Sequence, residues 1–431
     1  MTTIILMAWP SATIPKLLKD TSWHITEEEA SYFTVITSSS MIIASPIMSY
    51  IVDKIGRKWI IILGALSQVM AWICVMTAGT IYIFYLSRIF DGIGIAAFYA
   101  SVPVYLGEIC RPCVRETWTH IMIFMMYLGP LFANALGSFL SVRNCAFVLV
   151  FLPGFTLIAF PLMPESPVYH TMNEQYKKSR ASLRIFSRKR DVEEDFEQLK
   201  RDVERQMSET GSWKDLFTIK SNKRALVAGI FLKFTQQVSG ITAFLAYTQK
   251  IYEKSGQNFS SSTCSIIVTG SLCTFIILGT FVLNKFGSRL TYMMSLFWCG
   301  LTLSVEAAYF YLDQFHPEIN LSRVTWIPLI DMIVFSISYG SGLAVVPVIM
   351  PGELFSVSIK AKGMLLLNVE YALCLLIFGK LFFFLVTHFG MYSPFLVFSI
   401  GCFISTALTY FVLPETNGKT LEEIQQYLVM S

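Results

Sequence analysis

Two short stretches decide the fold: Asp53-Lys54-Ile55-Gly56-Arg57-Lys58 and, 231 residues further on, Asn284-Lys285-Phe286-Gly287-Ser288-Arg289. Each is a charged turn between two long apolar segments. Two more landmarks repeat in the same order. Glu108 precedes Arg115 by seven residues as Glu353 precedes Lys360, and Pro164-Glu165-Ser166 is matched by Pro414-Glu415-Thr416. Offsets of 231, 245 and 250 residues describe two homologous halves with modest insertions in the second. Repeated helical halves imply a transporter design.

Outward from these turns the chain is mostly apolar. Hydrophobic residues make up 54% and charged ones 14%, with a mean hydropathy of +0.57, far from a soluble domain. Apolar runs fall at 31–51, 60–80, 82–106, 117–140, 145–163, 225–251, 262–283, 290–312, 325–350, 363–387 and 393–413. Each approaches or exceeds the roughly 20 residues that cross a bilayer as helix. That makes eleven spans where two equal halves ask for twelve. The missing one belongs before residue 31, where only Met1 to Pro10 is apolar ahead of a polar stretch from Ser11 to Glu29. The expected fold is an all-α membrane protein of two six-helix halves with the first helix truncated. The expected division is a transmembrane half over 1–163, a cytoplasmic helical linker over 164–224, a second transmembrane half over 225–413 and a cytoplasmic tail over 414–431. A signal peptide would need a basic start and a small-residue cleavage site, and the N-terminus has neither.

Lys and Arg fix the orientation. The turns with Lys54/Arg57/Lys58, Arg111/Arg115, Lys285/Arg289 and Lys360/Lys362 share one face with the 164–224 loop, so that face reads as cytoplasmic in a multi-pass plasma-membrane protein. The sequons at Asn258 and Asn320 fall in loops of the opposite face and are glycosylation candidates. The net charge of +4 thus reflects topology and gives no case for nucleic acid. No phosphate-binding loop supports use of ATP. Nine cysteines, mostly inside spans, do not suggest a disulfide framework, and the lone Cys110-x-x-Cys113 lacks a second ligand pair for zinc. The five histidines are scattered and no nucleophile is paired with a base. No catalytic residue, metal or cofactor is expected, and the oligomeric state is open.

The loop from Pro164 to Arg224 is dense in both charge signs. From Val192 through Phe196, Leu199 and Val203 its apolar residues recur every three or four positions, the spacing of an amphipathic helix. Two or three short helices joining the halves are expected.

Along the whole chain these residues resemble the sugar porter family of the major facilitator superfamily, in particular its animal glucose and insect trehalose carriers. The motifs are Asp53…Arg57-Lys58, Arg88-x-x-x-Gly92-x-Gly94, Pro103-x-Tyr105-x-x-Glu108 with Arg115, and Pro164-Glu165-Ser166-Pro167. Further on come Gln236-Gln237-x-Ser239-Gly240, Gly352-Glu353-Leu354-Phe355 and Pro414-Glu415-Thr416-x-Gly418-Lys419. The resemblance implies facilitative transport of a sugar or polyol by alternating access. It also implies that Asp53, Arg57, Arg88, Glu108, Arg115, Glu165, Arg289, Glu353 and Glu415 form cytoplasmic latches that break when the carrier opens inward. Physically, a guanidinium at the membrane surface can bridge carboxylates of neighbouring helices. The first copy of the turn keeps both Asp53 and Arg57, where the second has Asn284 and Ser288, so latching should be stronger in the first half.

The seventh span places the family's amide pair at Gln236 and Gln237, followed by Gly240, which loosens the helix. Uncharged amides in an apolar span need partners, so they are expected to face a central cavity. The expected substrate-binding set is Gln236, Gln237, Thr242, Tyr247, Asn368, Glu370 and Tyr371, with Pro347 a second flexible point. Several family contacts are altered: Thr242 stands for an asparagine, Ala344-Val345-Val346-Pro347 replaces a Gly-Pro-x-Pro run, and Glu370-Tyr371 replaces Asn-Trp. A carboxylate within a span is costly and usually functional, which singles out Glu370; Asp331 and Glu306 read as nearer the span ends. A different small polar solute, or a transport-inactive sensor or scaffold, is the competing expectation.

Overall fold

The computed structural model describes residues 1–431 apart from 21–24, 111, 190, 209–210, 255–259, 357 and 416–431. Helices dominate it, and among the described residues there is no strand. In the first half these are α1 (Thr2–Lys19), α2 (Glu27–Ile55), α3 (Arg57–Thr77), α4 (Ile81–Ile109), α5 (Pro112–Phe139), α6 (Val142–Leu149) and α7 (Phe151–Ala159). Four short helices follow, α8 (Pro167–Met172), α9 (Tyr176–Ser187), α10 (Glu193–Ser208) and α11 (Trp213–Thr218). The second half holds α12 (Lys220–Val238), α13 (Ile241–Lys254), α14 (Ser261–Phe286), α15 (Ser288–Phe315), α16 (Ile327–Ser341), α17 (Val346–Leu354), α18 (Lys360–His388) and α19 (Tyr392–Val412).

Among the described residues, ten segments are long and apolar enough to cross a membrane, with α6/α7 and α16/α17 each counting as one. Two more rods complete the bundle: α1 packs against α5 and α13, and α12 against α17 and α18. Six passes in each half are consistent with this arrangement.

The first helix departs from expectation. The polar stretch after Pro10 is not its end, because α1 runs on to Lys19 with Ser11 and Thr13 buried against its neighbours. Lys16 reaches the last turn of α5, donating to the carbonyls of Gly137, Ser138 (3.3 Å) and Leu140 (2.7 Å). A cation there satisfies carbonyls that the helix end leaves open.

Among the described residues the linker has four helices, where two or three were expected, and α12 begins at Lys220. Val192, Phe196 and Val203 form the buried stripe of the α10 region, and Tyr176 of α9 lies 5.8 Å from the Phe196 ring. Arg180 stacks on that ring at 3.8 Å and holds the Glu193 carboxyl below its usual range through a 2.6 Å ion pair.

The two charged turns that opened the sequence reading are built alike. At Gly56 (φ +102°) and Gly287 (φ +81°) the chain passes through a region that favours glycine and starts a new helix. The Glu165 carboxylate accepts the Lys58 backbone N–H at 3.1 and 3.2 Å; the Glu415 carboxylate accepts that of Ser288 at 3.2 Å. Each Pro-Glu landmark therefore supplies an anion to the positive end of a helix in its own half, α3 or α15. A methyl group at Gly56 would lie 2.2 Å from Glu165 Oε2, so the glycine also makes room for its cap. The second bases also match: Lys58 Nζ donates to the Pro161 carbonyl at 2.6 Å, and Arg289 donates to that of Tyr410.

Candidate functional site

Two of the rods that carry central residues are broken at mid-length. Between α12 and α13 the break is Gly240 (φ +77°), whose N–H donates to the Gln237 carbonyl at 2.9 Å. Thr242 bridges it by donating to Gln237 Oε1 at 2.6 Å. Between α16 and α17 the chain unwinds over residues 342–345, and Pro347 stands in the first turn of α17, where a missing N–H costs nothing. Unwinding frees a carbonyl: Leu343 O accepts Gln236 Nε2 at 2.8 Å. Gln236 also donates to the Tyr339 hydroxyl at 3.2 Å.

From Tyr339 the network crosses to the other half, because its hydroxyl lies 2.9 Å from that of Tyr127 on α5. A second cross-half contact packs Tyr99 of α4 edge-on against Tyr371 of α18 at 5.5 Å. Tyr371 lies within electrostatic reach of the other three tyrosines. Lys233 of α12 places Nζ 5.2 Å from the Tyr371 ring and 5.9 Å from that of Tyr99, near Glu370. Glu370 Oε1 accepts the Cys374 thiol at 3.1 Å, and its Oε2 is buried without a hydrogen-bond partner.

Gln236, Glu370 and Tyr371 thus belong to one central cluster, while Gln237 and Thr242 tie the adjacent break. Asn368 is buried on α18, three residues from Tyr371 and on its face. Tyr247 does not join them. It stacks on Phe382 at 5.2 Å, and Phe382 lies eleven residues, or about 16 Å of helix rise, beyond Tyr371. Sequence reasoning missed Tyr99, Tyr127, Tyr339 and Lys233; a lysine inside an apolar run was the available signal for the last.

Asp53, Arg57, Glu108 and Glu165 come together at one end of the bundle. Arg57 Nη2 is 3.1 Å from Glu108 Oε1 and 3.2 Å from Asp53 Oδ1, and Nε donates to the same Glu108 oxygen at 3.2 Å. These contacts tie α2, α3 and α4 of one half rather than joining the halves. In the second half Lys360 donates to the Gly352 carbonyl at 2.7 Å and lies beside Glu353 and Arg115, the latter exposed on the first turn of α5.

Arg88 is not part of this group. It stands twenty residues before Glu108 on α4, about 30 Å along the helix, packed over Trp9 at 4.7 Å and donating to the Leu6 carbonyl at 2.7 Å. Its ion partner is Asp91 at 3.7 Å, itself held by Gln68 at 3.1 Å and Thr37 at 3.4 Å. Glu306 and Asp331, expected near span ends, are buried, Glu306 completely. Of the sequons, Asn320 is exposed and Asn258 lies outside the described residues, as does the tail beyond Glu415.

Away from the Arg57 end, ion pairs join the halves, among them Lys19 with Glu253 at 2.5 Å and Glu27 with Lys250 at 2.9 Å. Lys380 adds a 3.2 Å bond to Ser31, and Gln249 one of 3.1 Å to Ser138.

Two helical halves meeting over a polar centre, with broken helices supplying free carbonyls, define a membrane solute carrier. The chain belongs to the sugar (and other) transporter family, whose sequence profile matches residues 11–428. It is 27% identical to the facilitated trehalose transporter Tret1 of Polypedilum vanderplanki, over 95% of this chain and 81% of that one. With the Tret1 of Culex quinquefasciatus the identity is 25%, over 94% and 78%. Its fold resembles that of the xylose transporter XylE from E. coli in a partially occluded inward-open conformation, with TM-score 0.78, 16% identity and coverage of 97% and 98%. The proton:xylose symporter XylE bound to 6-bromo-6-deoxy-D-glucose aligns with TM-score 0.77 at 16% identity over 99% and 97%.

Proposed function

We propose that the protein is a facilitative carrier that moves a sugar or related polyol across the plasma membrane by alternating access, with the solute held at the Gln236 cluster. One observation carries this: Gln236 is anchored by a carbonyl that the broken helix frees, and through Tyr339 and Tyr127 it touches both halves at their centre. A solute there would contact both halves at once, as a rocking mechanism requires. Gln237, Thr242, Asn368, Glu370 and Tyr371 complete the site, with Gly240 and Pro347 marking the points of flexure.

The Arg57 end is read as cytoplasmic from its basic turns, as is the linker over 164–224. The opposite end, held by Lys19–Glu253 and Glu27–Lys250, is then external and closed. Arg57 with Asp53 and Glu108, and the capping pairs of Glu165 and Glu415, keep each half rigid while the halves move. The insect relatives named as trehalose transporters support a sugar as the solute.

Uptake of labelled glucose, trehalose and a polyol panel into vesicles tests this. Saturable uptake of at least one is expected, reduced roughly thirtyfold by Gln236→Ala, which removes two hydrogen bonds of about 1 kcal/mol each. No saturable uptake of any of them would overturn the reading.

A further inference from the structure

We infer that Lys233 and Glu370 act together as an opposed-charge clamp on a hydroxyl group of the solute, and that this pair makes the site select net-neutral sugars and polyols over charged ones. The inference rests on the sugar-carrier reading above and deepens it.

Lys233 precedes Gln236 and Gln237 by three and four residues, so its side chain leaves α12 on the face that carries the amides. It is only 6% exposed. Two aromatic faces flank its ammonium, those of Tyr371 and Tyr99. The charge of Glu370 is near enough to act on it, yet the two do not close to the 4.0 Å of a contact ion pair. Glu370 Oε2 is buried and has no hydrogen-bond partner. Buried charges are costly without partners of opposite sign, and here the ammonium and the carboxylate stop short of direct contact, with one carboxylate oxygen unpartnered.

The group that satisfies both at once must accept from the ammonium and donate to the carboxylate. A hydroxyl does both. Bonds to ionised groups are roughly twice as strong as neutral ones, so such a clamp would offset the altered contacts at Thr242 and Glu370-Tyr371. Because the pair sums to zero charge, a sugar acid would bring its carboxylate against Glu370. An amino sugar would bring its ammonium against Lys233. Either clash is strong in a site with little water. The pair does not act as a gate, since α12 and α18 belong to the same half. Tyr99, from the other half, packs against Tyr371 beside it.

The test compares the protein with Lys233→Met, Glu370→Gln and the double variant, in vesicles offered labelled glucose, trehalose, glucuronate and glucosamine. The unaltered protein should take up a neutral sugar, and neither glucuronate nor glucosamine in excess should compete. Glu370→Gln leaves the site positive and should raise the glucuronate-to-glucose ratio about tenfold; Lys233→Met leaves it negative and should do the same for glucosamine. The double variant should return to neutral preference with weaker uptake. Competition by charged sugars as effective as that by neutral ones in the unaltered protein would overturn the clamp even if the variants fail to fold. So would charged-to-neutral ratios unchanged in folded single variants. Absence of uptake of all four by the unaltered protein is a separate result, which removes the sugar reading and the clamp with it.

Discussion

Arg57 is 4% exposed and shares its guanidinium between Asp53 and Glu108, so removing it leaves Glu108 buried without its cation. Arg57→Ala should destabilise the protein by about 3 kcal/mol, the usual result of breaking a buried pair from one side, and Arg57→Lys by less. Thermal melting in detergent checks both. Glu165 offers a parallel case in which the lost contact is a helix cap: Glu165→Ala should cost roughly 1 kcal/mol on the same measurement. At this scale the sequence was most informative where a landmark occurs twice, because duplication picked out Glu165 and Glu415 before their shared partner, a helix N-terminus, could be seen. It was least informative for residues whose type is common in membranes. Tyr99, Tyr127 and Tyr339 read as ordinary aromatics of an apolar span, and only the packing of one half on the other brings them to the centre. Arg88 misled for another reason, since motif order along a chain does not say which end of a long helix a residue occupies.

Two elements do more than span. Between α12 and α13, Gly240 holds φ +77° while Phe398 and Phe244 leave no space for a side chain: a methyl group there would lie 2.5 and 2.8 Å from their rings. Gly240→Ala combines backbone strain with overpacking, together about 2–4 kcal/mol. Its melting temperature should fall and its uptake slow several-fold, whereas Ser239→Ala, beside it, should disturb uptake far less. The second break, α16/α17, was only half legible. Pro347 marked a weak point, but that unwinding would hand the Leu343 carbonyl to Gln236 is a three-dimensional fact. Helix α1 shows the limit of hydropathy. Its Ser11, Thr13 and Lys16 look like a span end, yet Ser11 and Thr13 are buried, Lys16 donates to carbonyls at the end of α5, and the element continues.

Across the whole molecule the halves are held together at the Lys19 end by charges of opposite sign on opposite halves. Lys250→Glu would set like charges at Glu27 and, at about 1 kcal/mol for an exposed pair, shift the balance toward opening roughly fivefold. Reaction of a cysteine placed at Thr34 of α2, which faces Gly379 of α18 across the two halves, with an external thiol reagent should quicken accordingly. Adding Glu27→Lys to the same protein should restore the slow rate; quickening that persists in the swapped pair would mean that the ion pair does not hold this end. The repeat of three landmarks made the two-half plan readable without coordinates. Which end is shut depends on contacts between residues more than two hundred positions apart, such as Lys19 and Glu253, for which no local pattern exists. Alternating access without an imposed gradient has its own signature. Vesicles containing the protein, preloaded with the unlabelled sugar it accepts and diluted into a trace of labelled sugar, should accumulate label transiently above its equilibrium level with no proton gradient applied. Label that only rises to equilibrium, at the same rate with and without preloading, would contradict a facilitative carrier that turns over around one central site.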